Sequence, residues 1–257
     1  MQVKNLGSFS WLKPFFFLLV LMGSFLIAPS QSQAAGIISG TVYNDVNDNL
    51  GFNTGIDYAV QGATVELQTN AGVALTTATT NAAGLYTFPA QAAGNYKIVV
   101  KTAPTGYGTV ATEVKTIIVT TTADNPNNHL AIKGTGGSIA GRVFDDQDRN
   151  IAFGGADANK ANIRVFLKKA GTTISTVTTT STGYAFKNLP NAAYTVEVST
   201  VDLDAEGFAL VSTSDGVVDT PKKEITLAAV NSAVTDKNFA ATEINTSGVD
   251  GIAVIDM

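Results

Sequence analysis

Two stretches of the chain share one pattern: ISGTVYND at residues 38–45 and IAGRVFDD at residues 139–146, at a constant offset of 101 positions. Further matches follow in the same order: ATVEL at residues 63–67 with IRVFL at 163–167, GLYTF at 84–88 with GYAF at 183–186, and YKIVV at 96–100 with YTVEV at 194–198. Self-similarity at a fixed spacing is the signature of a repeated structural unit. The sequence therefore predicts two tandem copies of one domain, over residues 37–133 and 138–244 of the 257-residue chain.

Apolar residues alternate along the matching segments, as in Val65/Leu67 and in Val196/Val198. This period of two is typical of strands that bury one face. Threonine-rich runs at residues 76–80 and 176–180 also favour strands, because a branched Cβ packs well on a pleated surface. Since no segment after the N-terminus keeps a helical period, we expect an all-β fold made of two tandem antiparallel β-sandwiches.

Composition excludes several classes of function. The chain has 16 Lys and Arg against 21 Asp and Glu, a net charge of −5, so no basic surface for nucleic acid is expected. With no Cys and a single His, thiol nucleophiles, disulfides and Cys/His zinc sites are excluded. No motif unites a nucleophile with a partner base, so we do not expect an enzyme.

The N-terminus predicts export. Lys4 and Lys13 precede an apolar run at residues 15–28, and the small residues Ser32 and Ala34 suit a signal peptidase. We interpret residues 1–34 as a signal peptide, because the apolar run is shorter than the roughly 20 residues that span a bilayer. The expected location is secreted, extracellular or at the cell surface, with no membrane span after cleavage.

Two short segments lie outside the predicted copies. GTGG at residues 134–137 is rich in glycine and predicts a flexible linker between the two copies. The tail at residues 245–257 contains an apolar stretch at residues 248–257, which reads as a strand that pairs with another subunit or partner. The other interpretations are the start of a further element or an extra strand of the second copy. Self-assembly through this tail is therefore one of the expected partner interactions.

The ordered set of motifs resembles the B-type repeat of Gram-positive surface adhesins. The set comprises Ile-x-Gly-x-Val-(Tyr/Phe)-x-Asp, an Asx-rich loop, a Val-x-Leu strand, a Gly-x-Tyr-x-Phe motif in the first copy that is one residue shorter in the second, and a closing Tyr-x-Val or Tyr-x-Ile strand. It is similar to the serine-aspartate-repeat adhesin B-like (SdrD B-like) domain, a relative of the collagen-adhesin B domain. The resemblance implies an immunoglobulin-like or prealbumin-like sandwich that serves as a stalk module, often calcium-binding, which spaces or presents other domains.

The Asx-rich loops after the first strand of each copy are the candidate metal sites. Calcium takes six to eight oxygen ligands, and oxygens at alternate positions followed by an acid near position 12 can surround it. Position 6, where glycine is expected for a sharp turn, holds Leu50 and Ile151 instead. The other interpretation is that Asp and Asn serve here only as turn formers. The candidate ligands are Asp45, Asn47, Asn49 and Asp57 in the first Asx loop (residues 45–57), and Asp146, Asp148, Asn150 and Asp157 in the second Asx loop (residues 146–157).

The sequence thus predicts a non-enzymatic surface module, a stalk or spacer of two repeats stabilised by Ca²⁺, with an extracellular protein or polysaccharide as its ligand. The alternative is a module that binds carbohydrate or a matrix ligand. Sugar rings stack on exposed aromatic side chains, and the sole Trp lies within the predicted signal peptide. Tyr58 and Tyr107 are then the tyrosines expected to be exposed for such stacking, although Tyr107 is equally read as part of a packed loop at residues 104–108.

Overall fold

The computed structural model describes residues 35–110, 113–120, 123–211 and 219–244, which belong to one compact unit. The predicted signal peptide and the predicted tail strand lie outside the described residues. Within the described part of the chain, no helix is long and apolar enough to cross a membrane.

The first half (residues 35–134) contains nine strands arranged in two sheets. One sheet has the order β2-β1-β9-β7, with β5 also paired to β1, and the other has the order β4-β3-β6-β8. The strands are β1 (Ala35–Asn44), β2 (Tyr58–Ala59), β3 (Thr64–Thr69), β4 (Ala74–Thr79), β5 (Leu85–Ala92), β6 (Gly94–Thr102), β7 (Tyr107–Thr109), β8 (Val114–Val119) and β9 (Leu130–Gly134).

The second half (residues 137–244) repeats these pairings. Its sheets have the orders β15-β10-β19, β12-β11-β20-β17 and β14-β13-β16-β18. The elements are β10 (Gly137–Gly141), β11 (Val143–Asp145), β12 (Ala158–Asn159), β13 (Arg164–Lys169), β14 (Thr172–Thr178), β15 (Tyr184–Leu189), β16 (Ala192–Val198), α1 (Thr200–Ala205), β17 (Phe208–Leu210), β18 (Lys222–Leu227), β19 (Ser232–Val234) and β20 (Phe239–Glu243).

The strand pairings confirm the predicted all-β fold and add one topological detail. Most neighbouring strands are antiparallel, but the first strand of each half runs parallel to the last, β1 with β9 and β11 with β20. The continuous strand β1 corresponds to β10 and β11 together, which are separated at Arg142. The chain therefore enters each half at one end and leaves it at the other.

Each half has its own hydrophobic core between its sheets, as the alternating pattern predicts. The first core is formed by inward-facing residues of β1, β3, β5, β6, β8 and β9. The second core is formed by those of β10, β11, β13, β15, β16, β18 and β20, together with residues of α1 and β17. Val46, in the first Asx loop, belongs to the second core rather than the first.

The short helix α1 was not expected from the sequence. Ser199 caps it, because the serine hydroxyl oxygen accepts the backbone N–H of Asp202 at 3.2 Å. Asp202 also receives the guanidinium of Arg164, which donates from Nε at 2.8 Å and from Nη2 at 2.7 Å. Six residues are too few to show a helical period, so the capping and this ion pair position the helix.

The glycine-rich linker is packed rather than free. A Cβ added to Gly134 would lie 2.3 Å from the carbonyl carbon of Leu189, and one added to Gly136 would lie 2.5 Å from the backbone nitrogen of Asn191. Both distances are far shorter than a van der Waals contact. The glycines therefore serve close backbone approach between the halves, and not the flexibility that the sequence predicted.

A glycine and a tyrosine connect the first strand to the start of the last strand in the first half. Tyr86 donates its hydroxyl to the carbonyl oxygen of Asn128 at 2.5 Å. A Cβ at Gly40 would lie 2.1 Å from the same oxygen, so only glycine admits this approach. The second half repeats the contact, with Tyr184 donating to the carbonyl of Lys237 at 2.6 Å.

We expect Tyr184→Phe to reduce the free energy of unfolding by about 1–2 kcal/mol, because the Lys237 carbonyl would lose its donor in a half-buried place. Urea denaturation of the full chain measures this change. Tyr43→Phe is the control, since Phe144 occupies the equivalent position of the second half. An equal loss in both variants would contradict the expectation.

Candidate functional site

The two Asx loops begin with the same buried carboxylate. Asp45 directly follows β1 and Asp146 directly follows β11, and neither side chain is exposed. Each carboxylate accepts two backbone N–H groups four and five residues further on. The donors are Asn49 at 3.1 Å and Leu50 at 3.0 Å in the first loop, and Asn150 at 3.2 Å and Ile151 at 2.8 Å in the second.

The last acid of each loop closes the loop on its own start. Asp57 and Asp157 each accept one N–H from the beginning of the loop and one from its middle. The donors are Val46 at 3.0 Å and Asn53 at 2.7 Å in the first loop, and Gln147 at 3.0 Å and Gly154 at 2.9 Å in the second. Both acids thus bond the backbone of their own loops, as turn-forming residues do.

The position at which glycine was expected has a left-handed backbone in both loops. Leu50 has φ of 58° and Ile151 has φ of 62°, a region that L-residues rarely adopt. For a β-branched residue such as Ile151 this conformation carries strain, which the hydrogen bonds of Asp146 hold in place. The sharp turn of the loop is therefore made without the glycine.

Amides dominate the centre of the first Asx loop. Asn47 and Asn49 both donate their side-chain amides to the side-chain oxygen of Asn53, at 3.0 and 2.7 Å. The side-chain oxygen of Asn47 is buried and, among the described residues, has no hydrogen-bond partner. Burial raises the pKa of the Asp57 carboxyl, and the negative charge of the neighbouring Asp45 raises it further.

Carboxylates dominate the second Asx loop. Asp146, Asp148 and Asp157 each offer an oxygen, and these three atoms lie within 4.8 Å of one another. Desolvation and the nearby Asp146 and Asp157 raise the pKa of the Asp148 carboxyl, against the backbone hydrogen bond from Asn150. Three acids so close favour a cation, and hard oxygen donors are the ligands that calcium takes.

The structure brings three of the four candidate ligands of the second loop together. The fourth, Asn150, turns its side-chain oxygen to the backbone N–H of Ala152 at 2.6 Å. Asn49 does the same with Gly51 at 2.8 Å in the first loop. These two asparagines therefore support their loops from within.

The first Asx loop also forms the joint between the halves. Its backbone carbonyls accept hydrogen bonds from the second half: Lys187 N–H to Val46 at 2.9 Å, Thr176 N–H to Gly55 at 2.7 Å, Ser175 Oγ to Ile56 at 2.5 Å and the side-chain amide of Asn188 to Asp45 at 2.7 Å. Sequence reasoning missed this role, because it considered only the oxygen-bearing side chains of the loop. The signal was available as apolar residues in an otherwise polar loop.

The tyrosines expected to be exposed for sugar stacking lie at this joint. Tyr58 and Tyr107 are half-buried, Tyr107 packing against the first core and Tyr58 against both cores. Burial raises the pKa of both hydroxyls, that of Tyr58 well above its usual range. Tyr58 is therefore less exposed than expected, and for Tyr107 the structure agrees with the packed loop.

Comparison with known families gives one match. The family of SdrD B-like domains matches residues 36–129, which confirms the resemblance inferred from the motifs. The fold of the chain is an immunoglobulin-like β-sandwich, and the match over these residues indicates a surface or extracellular protein. Comparison with curated proteins gives no match.

Three solved structures show a distant similarity to this chain. The Bacillus anthracis TIE protein is 16% identical, with a TM-score of 0.35 over 82% of this chain and 34% of its own, so the chain spans about a third of its length. The minor pilin GBS52 of Streptococcus agalactiae is 14% identical, with a TM-score of 0.30 over 84% of this chain and 99% of its own. The shaft pilin SpaA of Lactobacillus rhamnosus GG is 13% identical, with a TM-score of 0.33 over the same shares. At such scores the description of the fold rests on the strands of this chain.

The two closing acids differ in burial, and this predicts different costs of removal. Asp57→Ala leaves the Val46 and Asn53 N–H groups unpaired at the joint and is expected to cost about 2–4 kcal/mol of unfolding free energy. Asp157→Ala is expected to cost well under half of that, because water can reach the N–H groups of Gln147 and Gly154. Urea denaturation of the two variants compares them, and equal losses would contradict the burial argument.

Proposed function

We propose that this chain is a secreted or cell-surface structural module, in which two B-type repeats serve as a stalk or spacer. The observation that carries the proposal is the parallel pairing of first and last strands in each half, β1 with β9 and β11 with β20. Because the chain enters one end of each half and leaves at the other, two halves in series set their outer termini apart. A module that spaces or presents other domains needs this arrangement.

The same pairing suits a module under tension. A force applied along the chain pulls the two parallel strands past each other, so that the hydrogen bonds between them are loaded together rather than one after another. The packed linker at Gly134 and Gly136 passes the load directly into the second half. The proposed role is mechanical and adhesive rather than enzymatic, in keeping with a family of structural adhesin modules.

The full chain should therefore resist end-to-end stretching better than peeling. Single-molecule force spectroscopy can pull the chain through its termini. In a matched variant it can pull through cysteines introduced at the exposed edge-strand positions Leu75 and Ile118. The native chain has no cysteine that would compete with them. We expect a severalfold higher unfolding force in the end-to-end geometry. Equal forces in both geometries would remove the support for a stalk.

Ligand binding is the alternative function and needs a separate measurement. The labelled full chain can be applied to a glycan array and to immobilised matrix proteins in the presence of calcium. A spacer gives no saturable binding to either. Saturable binding to a polysaccharide or a matrix protein would instead favour the binding module, and its ligand would have to contact a surface other than the one around Tyr58 and Tyr107.

We further propose that the second Asx loop binds calcium and that this stabilises the module. The three carboxylates of Asp146, Asp148 and Asp157 support the proposal, since their mutual repulsion is relieved by a cation. An ion that binds only the folded state stabilises it without disulfides, which this chain lacks. The first Asx loop has two of the corresponding acids, with Asn47 in place of Asp148, and we expect it to bind calcium more weakly.

Asp148→Asn is expected to reduce the response to calcium to the weak one expected of the first loop. At a tenfold excess over a dissociation constant in the millimolar range, calcium should raise the melting temperature of the full chain by about 3–6 °C compared with chelator. The asparagine keeps the shape of the side chain and copies the first loop, so the loop should still fold. Asn47→Asp is the control, because it adds the missing acid to the other loop. An unchanged melting temperature of the native chain in calcium would contradict the proposal.

A further inference from the structure

The joint depends on three apolar side chains of the first Asx loop and the strand after it. Val46 is completely buried in the second core, and Ile56 and Tyr58 pack against the same core. Together they form what we call the plug. Burying such side chains removes apolar surface from water, which favours docking of the loop on the second half.

The second half receives the plug on a surface that we call the socket. The socket consists of Ser175 and Thr176 of β14 and Lys187 and Asn188 of β15. Each of these residues donates a hydrogen bond to the first half, two from the backbone and two from side chains. The plug therefore enters a site in which its own carbonyl groups find partners.

The second Asx loop has the same backbone but no plug. The opening acids Asp45 and Asp146 align Val46 with Gln147. The closing acids Asp57 and Asp157 align Ile56 and Tyr58 with Ala156 and Ala158. All three replacements are exposed. The outer end of the second half thus presents a polar or small residue at each position where the joint requires an apolar one.

The first half, for its part, has no socket. The register of β5 and β15 against the first strands aligns Phe88 with Phe186, so Pro89 and Ala90 take the places of Lys187 and Asn188. Pro89 has no backbone N–H, and Ala90 has no side-chain donor. Two of the four hydrogen bonds of the joint therefore have no counterpart at this end.

We propose that the joint is specific to this one pair and is used once: the first Asx loop docks only on the second half of its own chain, and neither outer end accepts a further copy. The plug and the socket are each present only at the inner faces of the described halves. The inference rests on the proposed two-repeat module and deepens it, since it makes the pair a closed unit rather than a section of a longer array. Association through the predicted tail strand is a different contact and is independent of it.

Paired cysteines test the proposal in the full chain, which has no cysteine of its own. Ile56→Cys with Ser175→Cys places thiols at the joint, where Ser175 Oγ lies 2.5 Å from the carbonyl of Ile56. Ala156→Cys with Thr76→Cys places them at the equivalent positions of the two outer ends, because Thr76 faces Leu67 as Ser175 faces Leu167. We expect the first pair to form a disulfide within one chain and the second pair to form none.

Each outcome of the cross-linking decides the proposal. Covalent oligomers from the outer pair, seen on a non-reducing gel at increasing protein concentration, would overturn it, because the ends would then dock. Failure of the inner pair to cross-link would also overturn it, because the joint would not persist in solution. A stalk that extends by end-to-end docking would still satisfy the proposed function. Failure of this proposal can therefore be told apart from failure of the proposed function.

A second experiment replaces the three plug residues. Val46→Gln, Ile56→Ala and Tyr58→Ala together give the first loop the residues that the second loop carries, so the loop itself should keep its fold. We expect the linker at residues 134–137 to become at least tenfold more sensitive to a nonspecific protease. Leu50→Ala is the control, since Leu50 is 38% exposed and belongs to neither core. Unchanged protection in the triple variant would show that the plug does not hold the joint.

Discussion

The joint between the halves depends on how the first Asx loop satisfies its own backbone. A loop can be buried only if its N–H groups find acceptors, and here the carboxylates of Asp45 and Asp57 take four of them. The carbonyl groups of the same loop remain free to accept donors from the second half. Val46 can then enter the second core with its own backbone N–H and carbonyl both paired. The packed linker and the contact between the halves follow from this arrangement.

The second loop shows what the same backbone does without that burial. Asp146 and Asp157 form the same four hydrogen bonds, but the loop lies at an outer end and carries a third acid, Asp148. Replacing Asn47 by an acid is tolerated there because solvent or a cation can compensate the charge. Gln147 is tolerated at the position equivalent to Val46 because the second loop does not pack into the core of another half. The two loops share the hydrogen bonds of their opening and closing acids, but they differ in the other side chains that these bonds hold in place.

Sequence reasoning recovered the fold class and the positions of the loops, and it missed how the halves meet. Alternation and internal repetition are local signals, so they predicted the strands that contain Val65 and Val165 correctly. The burial of Val46 depends on the core of the second half and on Lys187, which donates its N–H to the Val46 carbonyl, and no local pattern reports contacts so distant in sequence. The glycines at 134 and 136 were misread for the same reason, since flexibility and close packing both favour glycine.

The parallel pairing of β1 with β9 also has a consequence for how the protein forms. Strands at the two ends of a half are separated by almost the whole of its sequence, so every half has a high contact order. While the chain is synthesised or threaded through a pore, the first half cannot close until its last strand has emerged. The socket of the second half forms later still. During assembly the first Asx loop is therefore exposed before it can dock on the second half. The order of folding is thereby fixed by the order of emergence, from the first half to the joint.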